Sequence, residues 1–405
     1  MTQYQNKAEV TVDTNSRENL VRILSLAIFL IMFQVYMVAP LIPQFSTIFQ
    51  VSEQEAGLMI PAYLIPYGVS TLLYGWLSDF IGRGRVVLAS MIAFTIFVCL
   101  TATSFSLNQM LMWRFLTGMT TSGVVPLALA LIGDLFPYEQ RGRPLGWLFG
   151  AVAGGTALGS SFGVMIEPIL GWRGLFLLLG SFSVSIVCLL LKYWRSLNRK
   201  SNTAKRSISE ALVGYARLIS FSRGRYTYFY ILLNAAFQSG VFTWLGWYFA
   251  QVYKLNEVGI GLAIIGYGVP GFFLGPIIGK AADRWGRKWL IPVGLGISSV
   301  AAAVLIFKLP LPIGIVAVTI LSLGHDMTQP LLTGIVTDLS QDRSGQAMAL
   351  NTFSLFTGFG IGSFLFGQAL VLDFDVALII FCAVQMLASL MAVHIFRYET
   401  HVFLK

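Results

Sequence analysis

The chain has 405 residues, 56% of them hydrophobic and only 11% charged, with a mean hydropathy of +0.75. Globular domains in water carry about 25% charged residues, so a water-exposed surface cannot be built from this composition. The net charge of +9 could point to nucleic acid until its placement along the chain is read.

The first twenty residues are polar and mixed in charge. Hydropathy then predicts twelve spans of roughly the 20 apolar residues that cross a hydrocarbon core. The first six lie at about 21–43, 55–78, 86–104, 109–136, 144–166 and 172–194, with boundaries good to a few residues. The second six lie at about 226–253, 258–281, 289–307, 311–337, 346–371 and 375–396. The first span is too long for a signal-peptide core and no small-residue cleavage site follows, so it reads as a retained helix. Cys99, Cys188 and Cys382 are isolated within spans and offer neither a disulfide framework nor a metal site. The basic linker, about 195–225, contains ISEALVGYARLISF, which reads either as an amphipathic helix on the inner leaflet or as a solvated tether.

All but four of the 27 lysines and arginines fall on the side of the spans that holds the N-terminus. Arg173, Lys254 and Lys308 fall on the other side, and Arg114 falls inside a span. Positive charge stays on the cytoplasmic side. Both termini are therefore expected in the cytoplasm, and the basic excess is a topology signal with no nucleic-acid partner implied.

A constant offset relates the halves. Gly75, Asp79, Gly82 and Arg83 recur as Gly279, Asp283, Gly286 and Arg287; Gln34 recurs as Gln238, Tyr63 as Tyr267, Pro126 as Pro330 and Asp134 as Asp338. A shared offset over five spans means duplication. An even number of spans per half leaves the copies parallel. The expected fold is an all-α membrane protein of twelve transmembrane helices in two pseudo-symmetric six-helix bundles, 1–194 and 226–405, joined by the linker 195–225.

The loop GWLSDFIGRGR and its copy GKAADRWGRK resemble the repeated signature of the major facilitator superfamily, and the resemblance runs over essentially the whole chain. It is nearest the twelve-span drug:proton antiporter branch. The first copy departs from the signature at Phe80 and Gly84, which stand where basic residues are usual. In both copies one glycine permits close helix approach and the next a tight turn. The resemblance implies a gate in which Asp79 latches onto the start of the eleventh span near Gly345 and Arg83 pairs with Asp134. The duplicate would set Asp283 near Gly142 and Arg287 on Asp338. A positive-inside turn without gating is the plainer alternative.

In the fourth span Arg114 and Gly118 match the family's arginine motif, with Thr117 in place of its glutamine. An intramembrane guanidinium marks a pathway by default, and the resemblance gives Arg114 a part in proton coupling; snorkelling to the interface is the alternative. The fifth span lacks the branch's proline and last glycine, which puts a kinked hinge in doubt, but Gly155, Gly159 and Gly163 recur every four residues as a packing face. His325 and Asp326 form an adjacent ionisable pair in the tenth span. Asp326 stands near the bilayer centre, where such groups are proton or substrate sites by default; a buried pair tied to a neighbouring helix is the alternative. Adjacent helical residues diverge by about 100°, so both cannot face one cavity squarely. Gln34, Tyr36, Gln238 and Trp244 are candidate substrate-cavity residues.

These features predict an inner-membrane secondary transporter working by alternating access, exporting lipophilic compounds against inward proton flow. Its expected partners are a small-molecule substrate, protons and the bilayer, and the resemblance favours a monomer. An uncoupled or differently coupled carrier of a sugar, metabolite or lipid is the alternative, and a membrane receptor a more distant one. Metal-ligand, nucleophile and phosphate-loop motifs are lacking, so no cofactor, metal or catalytic residue is expected.

Overall fold

The computed structural model describes residues 14–137, 140–193, 208–339 and 344–399. Nine of its helices are long and apolar enough to cross a membrane. One of them, Gly142–Lys192, runs for 51 residues and holds two spans, because Gly171 breaks it at φ 65°, ψ 158°. Two broken helices complete the set of twelve. The seventh span is Ser222–Thr243 followed by Leu245–Tyr253, and the eighth is Glu257–Ile264 followed by Val269–Trp285. The seventh starts four residues earlier than hydropathy suggests, directly after a linker helix, Ile208–Ser220.

The breaks are local chemistry. The first span runs from Thr14 to Tyr36, turns through Ala39–Leu41 and resumes as Ile42–Phe49. Pro40 and Pro43 sit at the first positions of the new segments, where a missing N–H costs nothing. The second span breaks the same way before Pro61, which opens the helix Pro61–Ile81. In the eighth, Gly268 at φ 83° makes the break. Gly82 and Gly286, the repeated glycines of the signature loops, stand at φ 101° and φ 80°, a region side chains rarely adopt.

The fifth span lies directly on the first through its glycine face. A methyl group at Gly155 would fall 2.6 Å from the Phe29 carbonyl oxygen, at Gly159 2.6 Å from that of Phe33, and at Gly163 2.5 Å from Met37 Cβ. Each would clash, so only glycine allows this approach. One hydrophobic core runs from Leu20 and Leu148 of the first bundle to Trp244 and Phe366 of the second. A separate cluster around Ile291, Leu332 and Ile335 lies in the second bundle, takes in Leu218 of the linker helix and has Leu72 of the second span packed against it.

The ends of the described chain mark one face of the molecule, hereafter the basic face. Arg17 donates to the Leu135 carbonyl there, and Glu399 pairs with Arg223. At the far face the bundles touch: a methyl at Gly246 would lie 2.7 Å from Pro40 Cα, and one at Gly261 2.7 Å from the Ser161 carbonyl oxygen. Midway, the second and eleventh spans meet, with Tyr67 stacked on Phe356 at 4.0 Å. Toward the basic face the seam ends. Side chains built at Gly75, Gly142, Gly146, Gly150 and Gly345 would meet no atom within 4 Å among the described residues. The bundles thus enclose a cleft open to the basic face.

Candidate functional site

Asp326 stands where the tenth span meets the break of the eighth. Ser322 Oγ donates to its Oδ2 at 3.1 Å, and Ser322 Oγ also accepts from the Gly268 N–H at 2.9 Å. The carboxyl lies flat on Gly271, where a methyl would be 2.8 Å from Asp326 Cγ. Gly268 in turn faces Ala157 of the fifth span, at 3.3 Å from its Cβ to an added methyl. The half-buried acid therefore sits at the junction of the two bundles. Among the described residues no lysine, arginine or histidine comes within ion-pair distance of it.

His325 points elsewhere, as its 100° offset requires. Its Nδ1 lies 3.2 Å from Asn234 Nδ2, and Gln385 Nε2 donates to Asn234 Oδ1 at 3.1 Å and to Ser298 Oγ at 3.3 Å. This network ties the seventh, ninth, tenth and twelfth spans inside the second bundle. The structure separates the pair that the sequence put side by side.

Arg114 is fully buried, which rules out snorkelling in this conformation. Its Nε donates to the Met59 carbonyl at 2.6 Å and its guanidinium covers the Tyr63 ring at 4.9 Å. That carbonyl is available because the turn before Pro61 sends the Tyr63 N–H to Ile60 instead. Nη1 and Nη2 have no hydrogen-bond partner among the described residues. Arg114 and Asp326 thus occupy separate bundles without direct contact, and a buried guanidinium with two free nitrogens is a polar demand left open.

Between the bundles, Tyr36, Ile60, Leu64, Phe242, Tyr267 and Phe359 line a narrow cavity of about 20 Å³, room for roughly one water. Gln238 Nε2 donates to Tyr267 Oη at 2.7 Å. Its repeat partner Gln34 has neither amide atom satisfied among the described residues. The asymmetry has a cause: Tyr63, the counterpart of Tyr267, shares its hydroxyl with Thr121 at 2.8 Å. Trp244, expected on the cavity wall, is instead wedged at the far face between Gly57 and Gly367, at 2.6 and 2.8 Å from methyls built there. The sequence reading missed Phe242, Tyr267 and Phe359 as lining residues. The recurrence of Tyr63 as Tyr267 was the available signal.

At the basic face, Arg83 Nη1 donates to Asp134 Oδ2 at 2.7 Å and to the Ala130 carbonyl at 3.1 Å. Arg141 donates to the carbonyls of Gly133 and Phe136, so cations close the C-terminal end of that helix as its dipole favours. The second half departs from this plan. Asp338 pairs with Arg223 at 2.8 Å, and Arg223 also grips Glu399 through two bonds. Arg287 lies against Gly334, the counterpart of Ala130, with its guanidinium 3.0 Å from a methyl built there. The expected Arg287–Asp338 pair is therefore corrected to Arg223–Asp338, because the start of the seventh span brings a closer cation. Gly75 makes no close approach, and Gly345 and Gly142, the expected anchor points of the loop aspartates, face open space. The side chain of Asp283 and the surroundings of Gly279 lie outside the described residues.

The sequence matches the family described as Major Facilitator Superfamily over residues 24–263 and 227–402. The MFS-type transporter YwfA of Bacillus subtilis (strain 168) is 25% identical over 347 residues, covering 85% of this chain and 84% of that protein. The class H tetracycline resistance protein of Pasteurella multocida is 24% identical over 320 residues, covering 76% and 78%. In fold, the chain is similar to a bacterial homolog of the human lysosomal transporter Spinster, solved inward-facing and unoccupied. That comparison has a TM-score of 0.76 at 17% identity and covers 96% of this chain and 99% of that one. Twelve spans in two bundles, a cleft between them and a match over nearly all of the membrane-spanning chain lead to one conclusion: this protein belongs to the major facilitator superfamily of membrane transporters.

Proposed function

We propose that the protein is a proton-coupled exporter of lipophilic compounds in the inner membrane, working by alternating access as a monomer with both termini in the cytoplasm. On that reading the open cleft faces the cytoplasm and the bundles 1–194 and 226–405 rock about the seam. The observation that carries it is Asp326, a carboxyl at the junction of the bundles with a hydroxyl partner and no cation in ion-pair distance. Such a group can take a proton from one side and give it to the other as the bundles move. The likeness to a tetracycline resistance protein supports a lipophilic substrate, as do the aromatic walls around the seam. Arg114 acts from the other bundle, through the field or through water.

The test is accumulation of lipophilic cations, sugars and lysolipids in proteoliposomes under an imposed pH gradient. Asp326→Asn should abolish proton-driven accumulation and retain substrate exchange, since it mimics a permanently protonated site. Accumulation at the wild-type rate would remove Asp326 from coupling. Substrate movement indifferent to the gradient would favour the second reading, an uncoupled carrier. The fifth span supports that alternative, because Gly159–Val164 keeps helical geometry on the first span without the proline of the antiporter branch.

A further inference from the structure

The linker helix Ile208–Ser220 presents three stripes. Gly214 and Leu218, one turn apart, face the protein. A methyl at Gly214 would lie 2.2 Å from Gln346 Oε1 of the eleventh span, and Leu218 is buried in the second bundle's own cluster. Beside them Tyr215 Oη donates to the Leu72 carbonyl of the second span at 2.9 Å. Leu212, Ala216 and Ile219 form the next stripe at spacings of four and three, all exposed, with Leu212 at 59% and Ile219 at 46%. Val213, Arg217 and Ser220 form the third stripe and are also exposed.

We infer that the stripe Leu212, Ala216, Ile219 is a docking surface for the anionic lipid bilayer at the basic face, with Arg217 and Arg225 meeting its headgroups. Continuity identifies the occupant. The helix passes through Phe221, 59% exposed, straight into the seventh span, whose outward Tyr226 and Phe229 are exposed in the apolar belt. The apolar stripe lies between the protein-facing stripe and the mixed one that carries Arg217 and Ser220, the position of the acyl boundary for a helix lying in the interface plane. Arg217 and Arg225 are exposed, and among the described residues neither has a carboxylate within ion-pair distance. Cations near a membrane surface attract acidic lipid. By contrast Arg223 is already committed to Glu399 and Asp338.

The placement has a mechanical consequence. The same helix touches the second span through Tyr215 and the eleventh through Gly214, and these two spans form lips of the cleft. Lipid bound to its outer stripe holds the linker against both lips while the cleft is open. The inference is independent of substrate and coupling ion.

The test uses the full chain reconstituted in nanodiscs of phosphatidylcholine, with or without phosphatidylglycerol. Single cysteines Leu212→Cys, Ile219→Cys and Ser220→Cys, in a background of Cys99→Ser, Cys188→Ser and Cys382→Ser, carry an environment-sensitive fluorophore. Lipids brominated in the acyl chain should quench positions 212 and 219 at least twofold more than position 220. Phosphatidylglycerol should deepen that quenching, and Arg217→Glu with Arg225→Glu should cancel the gain. Equal quenching at all three positions, or none, overturns the proposal; so does indifference to lipid charge. Hydrogen exchange of residues 208–220 in the unsubstituted protein gives a second reading. Exchange several-fold slower in anionic discs is expected. Equal rates, or slowing that instead follows protein concentration and so reports a second copy, would overturn it.

Discussion

The two faces of the molecule hold themselves by opposite rules. At the far face the contacts cross the seam. Gln44 Nε2 donates to Glu167 of its own bundle and to Glu257 of the other, each at 2.9 Å, and Trp247 donates to Glu53 across the same boundary. Gly246 and Gly261 let backbones approach there. At the basic face the strong pairs stay inside one bundle: Arg83 with Asp134, and Arg223 with Asp338 and Glu399. A contact can bias a conformational equilibrium only if it differs between the two states. Arg83–Asp134 is formed while the basic face is open, so it braces its bundle and cannot by itself be the latch that closes that face. The far-face contacts have to break for the far face to open. They are the state-specific ones.

The largest effect should come from removing close approach at the far face. Gly246→Leu would drive its Cβ to 2.7 Å from Pro40 Cα and 2.9 Å from its carbonyl oxygen, both main-chain atoms that cannot rotate away. Overpacking of this kind costs about 1–3 kcal/mol, here paid only with the far face closed. The population should move roughly five- to 150-fold toward far-face-open. Spin labels at Thr47→Cys and Val258→Cys, both exposed, should separate by several ångströms. An unchanged distance distribution would mean that the seam yields elsewhere.

Next in size is Gln44→Leu. It deletes two donors and leaves Glu167 and Glu257 facing without the amide that joins them. At about 1 kcal/mol per net hydrogen bond, the same spin-label pair should show a smaller shift of several-fold. Glu257→Gln removes a single charge-assisted bond and should fall below it. If Glu257→Gln instead moves the balance toward far-face-closed, repulsion between the carboxylates outweighs the bridge.

What could be read from the sequence follows the same division. Helical spacing fixes which residues share a face, so Gly155, Gly159 and Gly163 were legible as a packing face, though not that the first span fills it, and the repeat offset picked out Gly82 and Gly286, both at positive φ. Spacing does not say which distant element supplies a partner. Arg287 and Asp338 repeat Arg83 and Asp134 in position, yet Arg223 and Glu399 arrive from outside the repeat and take the carboxylate. Trp244 reads as a cavity aromatic until the glycines at 57 and 367 are seen to leave a slot for it. Nothing in its sequence setting marks Gln44, whose two partners lie 123 and 213 residues away.

Arg83→Ala sharpens the comparison from the other side. The pair is partly exposed, with side chains at 16% and 31% accessibility, so its loss should cost about 1 kcal/mol of stability. Labelling of Gly345→Cys, an exposed position at the basic end of the eleventh span where an added side chain meets no atom within 4 Å, should not change in rate. Faster or slower labelling would return Arg83 to the role of a latch.

The smallest effect should come from a far-face pair that does not cross the seam. Lys308 meets Asp375 at 2.8 Å, but both belong to the second bundle, in the turn after the ninth span and at the start of the twelfth. If location at the far face were what mattered, breaking this pair would shift the conformational balance as Gln44→Leu does. If crossing the seam is what matters, Asp375→Asn should leave the Thr47–Val258 distances unchanged. Asp375 raises the pKa of Lys308 above the ordinary lysine value, first through the hydrogen bond and then through its charge. A raised basic group contributes stability below its unfolded pKa and loses it only as pH climbs through the folded one. The variant should therefore unfold at a small constant offset below the parent protein around neutral pH, the two converging as pH climbs through the raised lysine value. Any change in the spin-label distances would show that this pair reaches across the seam after all.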